Sequence, residues 1–252
     1  MARRTDGVGA RLDGYLDLHS HLLPGFDDGA KDAAEAAAIL EAARQAGFGA
    51  VFATPHWMAN VYEHDREAVT HAIETLGREL GAARPDVEIF PGSEYYFEDG
   101  VYERLDRGEM TPLARGKHVL VELPLLKLPP QTRDFAFRIR IKGLTPVLAH
   151  PERYADLTRD PKLAQMLVDA GFRLQINLCS LTGLYGRHVA KAAEWIVKHG
   201  LADFAGSDAH TPAQAADAFG EGMKALRKLA GDDGVRRLLL DNPRAILAEE
   251  HQ

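Results

Sequence analysis

Residues 32–56 read DAAEAAAILEAARQAGFGAVFATPH, and this stretch holds the unit from which the chain is built. Its first half is Ala-rich and amphipathic, opened by Asp32 and closed by Gly47. Aspartate caps a helix N-terminus through its side chain, and glycine takes the positive φ that a helix end needs. A short apolar run, FGAVFA, follows and stops at a polar residue, His56. The order of helix, glycine, apolar strand and polar end recurs in KGLTPVLAH (142–150), AGFRLQINL (170–178) and HGLADFAGSDAH (199–210), with Gly143, Gly171 and Gly200 in the place of Gly47. Short strands that are apolar almost throughout suit a parallel sheet covered by helices.

Seven apolar runs end in this way: YLDLHSH, AVFATPH, VEIFPGSE, HVLVELP, TPVLAHPER, FRLQINL and DFAGSDAH. Their polar ends are His19 and His21, His56, Glu94, Glu122, His150, Asn177, and Asp208 with His210. Strand ends gathered at one rim are how a β/α barrel builds an active site. Helices are expected at 31–46, 64–83, 130–142, 160–170, 187–199, 212–230 and 233–249. The alternation predicts a closed or nearly closed α/β barrel. The rival is a doubly wound open sheet, which would gather its ligands at one switch point rather than round a rim. Residues 95–117 form the longest stretch without the repeat and read as an excursion over the rim.

With 252 residues and an apolar fraction of 46%, the chain suits one domain of barrel size. Residues 1–14 read as a flexible leader and 15–252 as the barrel. The net charge of −7 argues against nucleic acid or an anionic membrane as a partner. The leader has arginines but no apolar stretch behind them, so a secretory signal is not expected. No apolar run has the length of a membrane span. One cysteine, Cys179, suits a reducing compartment, and a cytoplasmic protein is expected.

His19 and His21 are two apart on a strand, so both imidazoles can face one ion. Asp208 and His210 repeat that spacing on the last strand. Glu122 lies in a run of Val and Leu, where an unpaired carboxylate is costly unless a cation accompanies it. Asp27 or Asp28 completes a set too large for one tetrahedral ion and sufficient for two or three. With no thiolate among them, Mn, Fe or Zn fits best. Such clusters hydrolyse phosphoesters by acidifying a bound water, and Arg153 would meet phosphate oxygens. The other histidines (His64, His71, His118, His188, His199 and His251) read as structural or solvated. Tyr185 stands where a C-x5-R phosphatase loop would need arginine after Cys179, so a cysteine nucleophile is excluded.

The motifs DLHSHLLPGFDDGA, ATPHW, PGSEYYF, VELP, PVLAHPERY, LQINLCSLTGLYG and GSDAHTP resemble the PHP (polymerase and histidinol phosphatase) superfamily. Within it they resemble the bacterial tyrosine-protein phosphatases of capsule and exopolysaccharide loci. The resemblance runs from about Tyr15 to the C-terminus. It implies a single-domain, distorted (β/α)7 TIM-like barrel with three divalent ions, usually manganese. It implies His19, His21, Glu94 and Asp208 around a first ion, with Glu94 bridging to a second held by Glu122 and His150. Asp28, His56 and His210 would hold the third, and Arg153 the phosphate. Some members carry a further arginine soon after the D-x-H motif; here the first arginine after His210 is Arg227.

The expected activity is therefore a metal-dependent protein-tyrosine phosphatase acting on the phosphotyrosine tail of a polysaccharide-synthesis kinase. A hydroxide held by the ions would attack phosphorus in line, with Arg153, Asp208 and His210 as catalytic residues. Trp57, Tyr95, Tyr96 and Phe97 follow two of the ligands. Trp57 and Tyr96 are the expected flanks of the substrate ring. Alternatives are a phosphatase for a small molecule such as histidinol phosphate, a phosphodiesterase, or a non-catalytic metal-binding subunit of polysaccharide export. The sequence leaves the oligomeric state open, including a homo-oligomer.

Overall fold

The computed structural model describes residues 14–248, so the expected leader lies, apart from Gly14, outside the described residues. Its strands are β1 (Tyr15–Ser20), β2 (Phe48–Ala53), β3 (His56–Trp57), β4 (Glu88–Pro91), β5 (Glu94–Tyr96), β6 (His118–Glu122), β7 (Thr145–Ala149), β8 (Arg173–Asn177) and β9 (Ala202–Gly206). All named pairings are parallel, in the orders β1-β2-β4 and β3-β5-β6-β7-β8-β9.

These strands are the seven expected runs with two of them interrupted. Thr54-Pro55 separates β2 from β3, and Gly92-Ser93 separates β4 from β5. Proline has no N–H for the ladder, so pairing stops there. The two breaks match in length, so Ala53 pairs Pro91 before them and His56 pairs Glu94 after them. Gly92 N donates to Ala53 O at 2.9 Å and Glu94 N to Pro55 O at 3.0 Å, carrying the pair across. At the rim the first run meets the last. Ser20 bridges Ala209 in parallel, Asp208 N donates to His19 O at 2.9 Å, and His21 N donates to Ala209 O at 3.0 Å. Pairing thus passes round all seven runs and returns to the first.

Two apolar clusters follow from the strand alternation. Leu16, Leu18, Phe52, Leu120, Val147 and Phe204 come from strands all round the ring and meet in one cluster, which fills its interior with Ile246. Val51, Val121, Leu148, Ile176 and Ala205 belong to the larger cluster between strands and helices.

The covering helices are α1 (Ala33–Gln45), α2 (Arg66–Leu80), α3 (Asp99–Arg107), α4 (Thr132–Ile141), α5 (Ala155–Arg159), α6 (Leu163–Ala170), α7 (Leu178–Thr182), α8 (Arg187–Lys198), α9 (Pro212–Asp217), α10 (Met223–Arg236) and α11 (Asn242–Ala248). Asp32 caps α1, its carboxylate accepting from Glu35 N at 2.9 Å. The four junction glycines 47, 143, 171 and 200 all have positive φ. Residues 95–117 are not an excursion. They contain α3, which buries Val101, Arg104 and Leu105 and so continues the alternation. That helix has few apolar residues, which hid its periodicity. The two C-terminal helices form one run with π turns at Ala218–Gly222 and Arg237–Asp241, bent at Gly231, where φ is 70°.

Candidate metal centre

The strand ends converge on Glu94, which is wholly buried at the start of β5. Its Oε2 lies 3.2 Å from His19 Nε2, 3.4 Å from His21 Nε2 and 3.0 Å from His56 Nδ1. Its Oε1 lies 3.3 Å from His150 Nε2, which is 3.6 Å from Glu122 Oε1. Asp208 Oδ1 stands 3.4 Å from His19 Nε2 and 3.3 Å from His21 Nε2. Asp28 Oδ1 reaches the Nε2 atoms of His56 and His210, at 3.7 and 3.5 Å. All nine expected ligands therefore share one cluster.

Local backbone devices bring them there. The turn after His21 folds back so closely that Ala30 N donates to His21 O at 2.9 Å. Gly29 is required in that turn, because a Cβ would sit 2.0 Å from His21 O. His150 and Asp208 occupy left-handed backbone, φ 33° and 52°, each just past the end of its strand. Non-glycine residues take that conformation at a cost that the surrounding structure must offset.

The ring nitrogens that face away from the centre are also held. His19 Nδ1 meets Gln175 Oε1 at 2.9 Å, His21 Nδ1 meets Asp27 Oδ2 at 2.7 Å, and His210 Nδ1 meets Asp208 O at 3.0 Å. An Nδ1–H donating outward leaves the Nε2 lone pair for a cation. The Nε2 atoms of His19 and His21 then face each other at 3.0 Å. Two lone pairs at that distance repel unless a positive charge lies between them. Neither Glu94 oxygen accepts a hydrogen bond, although both are buried. Three groups have ligand atoms close enough for a shared ion: His19, His21 and Glu94; His21, His56 and His210; and His56, Glu94 and Glu122. The donor set and its unsatisfied buried oxygens fit divalent cations.

The electrostatics agree. Burial opposes charge on His19, but Glu94 and Asp208 outweigh it and raise the imidazole to about 9. Glu94 resists burial in the same way and is held well below the carboxylate range by His19 and His56. Glu122 is driven up to about 8, by burial and then by the charge of Glu94. Carboxylates crowded into one buried space call for cationic charge.

Arg153, in the short turn Pro151–Arg153 after β7, donates from an Nη to Asp208 Oδ2 at 2.8 Å. Its Cζ lies 4.6 Å from the centre of the Tyr185 ring. It stands at the edge of the cluster, about a quarter of its side chain exposed (24%). Both ends of the Asn177 side-chain amide are already bonded. Its Nδ2 donates to Asp208 Oδ2 at 2.6 Å, and its Oδ1 accepts from Gln175 Nε2 at 2.9 Å. Thus β8 supplies two amides that orient Asp208 and His19.

Trp57 needs correction as a substrate contact. It is 4% exposed, packed against Tyr95 and beneath Arg104, whose Cζ is 5.0 Å from its ring centre. The alternation that turns His56 to the site turns Trp57 away. Tyr95 is buried too, with its hydroxyl accepting from Thr111 N. Phe97 packs edge-on against Phe135. Of the four aromatics, Tyr96 keeps the face of Glu94, is partly exposed, and pairs with Glu122 in register. Sequence reasoning passed over Tyr62, whose ring lies parallel to His56 with centres 6.3 Å apart, and Tyr185. It also passed over three buried supports. Asp17 accepts from Ser207 N at 2.8 Å and from Ser207 Oγ at 2.6 Å, fixing the segment before Asp208. Glu152 accepts from Asn177 N and Ser180 Oγ, and Gln175 holds His19. Asp17 and Gln175 interrupt apolar strands, the signal that singled out Glu122. The set-aside histidines lie away from the cluster where described: His64 pairs Ser93, His199 stacks on Trp195, and His71 and His188 are exposed. His251 falls outside the described residues.

Comparison with known proteins places these features in a family. The model of the family "Capsular polysaccharide synthesis, CpsB/CapC" matches residues 15–248. The tyrosine-protein phosphatase YwqE of Bacillus subtilis is 32% identical over 195 residues, 77% of each chain. The tyrosine-protein phosphatase CpsB of Streptococcus pneumoniae is 25% identical over 93% of this chain and 99% of its own. A crystal structure from work on those two proteins, described as unique metal-dependent tyrosine phosphatases, superposes with a TM-score of 0.79. It is 29% identical and covers 92% of this chain and 91% of the other. The phosphotriesterase homology protein of Escherichia coli shares the fold, with a TM-score of 0.58 at 14% identity over 92% of this chain and 98% of that one.

Proposed function

The chain belongs to the CpsB/CapC family of capsular polysaccharide synthesis, and from that premise we propose that it is a metal-dependent protein-tyrosine phosphatase. The observation that carries the reading is the convergence of nine nitrogen and oxygen donors around Glu94, with Arg153 at their edge. Divalent ions bound there supply Lewis acidity: they acidify water and neutralise charge on phosphoryl oxygens.

The residues divide the remaining work. His19, His21, Glu94 and Asp208 would hold one ion, Glu94 with Glu122 and His150 a second, and Asp28, His56 and His210 a third. The absence of thiolate donors fits manganese, iron or zinc alike, and the family likeness makes manganese the choice. Arg153 turns from Asp208 towards an incoming phosphoryl group, where its planar fork pairs two oxygens and offsets the charge that builds in the transition state. Asp208 and His210 lie beside Arg153 and each other at the cluster, and Tyr96 borders the space for the phenyl ring. Cys179 takes no part, because it is buried with its Sγ against Gln214 O and burial pushes its thiol far up.

The substrate proposed is the phosphotyrosine tail of a polysaccharide-synthesis tyrosine kinase, met in the cytoplasm by one barrel domain spanning 15–252. No helix among the described residues is long and apolar enough to cross a membrane. The test is a hydrolysis panel with added manganese: a phosphotyrosine peptide, histidinol phosphate and a phosphodiester, together with elemental analysis of protein purified without chelator. Two to three ions per chain and clear preference for the peptide are expected. Faster cleavage of histidinol phosphate or the diester would replace the substrate. Less than one ion, not restored by manganese, would end the metal reading.

A further inference from the structure

Five large apolar side chains are well exposed among the described residues: Val61, Leu126, Phe137, Ile141 and Leu184. Single exposed apolar residues are ordinary on a protein surface. Phe137 and Ile141 lie on α4, outside the ring. The other three are placed differently. Val61 follows β3, Leu126 follows β6, and Leu184 follows β8 and α7. These loops leave the second, fourth and sixth of the seven strand runs at the end that carries the ligands. They are therefore spaced round the opening.

Each is also tied to the centre. Val61 adjoins Tyr62, whose ring lies parallel to His56 at 6.3 Å. Leu184 adjoins Tyr185, whose ring lies 4.6 Å from Arg153 Cζ. The loop of Leu126 is fastened to the segment that follows Arg153. Leu123 N donates to the Tyr154 hydroxyl at 3.0 Å, Ala155 N to Leu125 O at 2.7 Å, and Leu128 N to Asp156 Oδ2 at 2.9 Å. Leu126 is nonetheless 85% exposed, so the bonds that order its loop leave its side chain in water.

We infer that Val61, Leu126 and Leu184 form an apolar collar that takes apolar side chains on the polypeptide flanking the phosphorylated tyrosine. The inference rests on the phosphatase reading and specifies its substrate. A chain that inserts one phosphorylated side chain towards Glu94 and Arg153 must cross these loops, and its neighbouring residues then meet their tips. A small aryl phosphate carries no flanking residues to meet them. The collar selects for sequence context through binding, while the ligand cluster acts on the phosphoryl group alone.

The test compares the wild type with V61S/L126S/L184S, all three side chains being more than half exposed (62%, 85% and 52%). Phosphotyrosine peptides with Leu and Val on both sides are measured against peptides with Gly and Ser there, and against p-nitrophenyl phosphate. Manganese is added, and a thermal melt checks the fold. The wild type is expected to prefer the apolar peptide by about tenfold in kcat/KM, through KM. The triple variant is expected to lose that preference and to keep p-nitrophenyl phosphate hydrolysis within about twofold. A wild type that cleaves all phosphotyrosine substrates without regard to their flanks overturns the collar and leaves the phosphatase reading standing. A wild type that cleaves none of them overturns both. A variant that keeps the preference but dissociates from an oligomer on light scattering also overturns it, and makes the patch an interface between copies.

Discussion

Asn177→Ala tests whether β8 acts on the centre through its amides. The side chain is buried and donates to Asp208 Oδ2 at 2.6 Å while accepting from Gln175 Nε2 at 2.9 Å. Gln175 in turn meets His19 Nδ1 at 2.9 Å. The variant thus loses a buried hydrogen bond to a carboxylate and loosens the amide behind His19. A hydrogen bond to a charged group contributes about 1.5–3 kcal/mol. Arg153 still bonds the same oxygen of Asp208, so the low end applies. About 1.5–2 kcal/mol corresponds to roughly 10- to 30-fold weaker binding of the ion proposed for His19 and Asp208, in the range seen when outer partners of metal ligands are removed. Manganese is titrated against a competing chelator dye, and kinetics are run at limiting and saturating metal. Activity should fall steeply at limiting manganese and largely return at saturation. Unchanged affinity would refute the orienting role. Loss of kcat that metal cannot restore would place Asn177 in contact with substrate instead.

Arg153→Ala should lower kcat/KM by about 10²–10³, the effect of removing one transition-state donor, with metal content by elemental analysis unchanged. Wild-type kinetics would confine Arg153 to its ion pair with Asp208. Cys179→Ser should retain most activity in the same assay, since its thiol is buried and inert; an inactive but folded variant would contradict metal-assisted hydrolysis. His64 offers a pH test. Burial, then the nearby Arg104 charge, lowers its imidazole to about 4, against about 6.5 in an unfolded chain. Its contribution is therefore complete above about pH 6.5 and is lost as pH falls towards 4, because only the unfolded chain gains the proton. Urea unfolding at pH 7.5 and pH 5 should show the wild type losing about 2 kcal/mol more than His64→Gln. Equal losses would show that His64 takes up its proton in the folded protein.

The repeat of helix, glycine, apolar strand and polar end is local chemistry, and so it was legible in residues 32–56. Asp32 caps its helix, Gly47 ends it, and the strand pairs in parallel as its apolar run required. The helix α3 was missed because it is 9 residues long and its apolar period rests on a single i, i+4 pair, Val101 and Leu105. The bend at Gly231 showed in sequence only as a gap between two helices, while the π turns on either side of it left no signal.

Eight of the nine donor positions were visible one at a time as polar ends of apolar strands, and the ninth as one of two neighbouring carboxylates, Asp27 or Asp28, in the turn after the first. Which of them meet was decided by the ring of strands, since only its closure brings Asp208 against His19 and His21. Tertiary structure alone also separated Trp57 from Tyr96. Both follow a ligand, but strand alternation sends one indole into the core and keeps one phenol on the ligand face. It alone gave β8 its role, because a side-chain amide looks the same in sequence whether it binds a ligand or orients one. Side-chain type and strand ends are local properties, so the order of residues already told which groups could carry the chemistry. Their distances, their hydrogen-bonded partners and their access to solvent depend on residues far apart in the chain, and the packed barrel decided those.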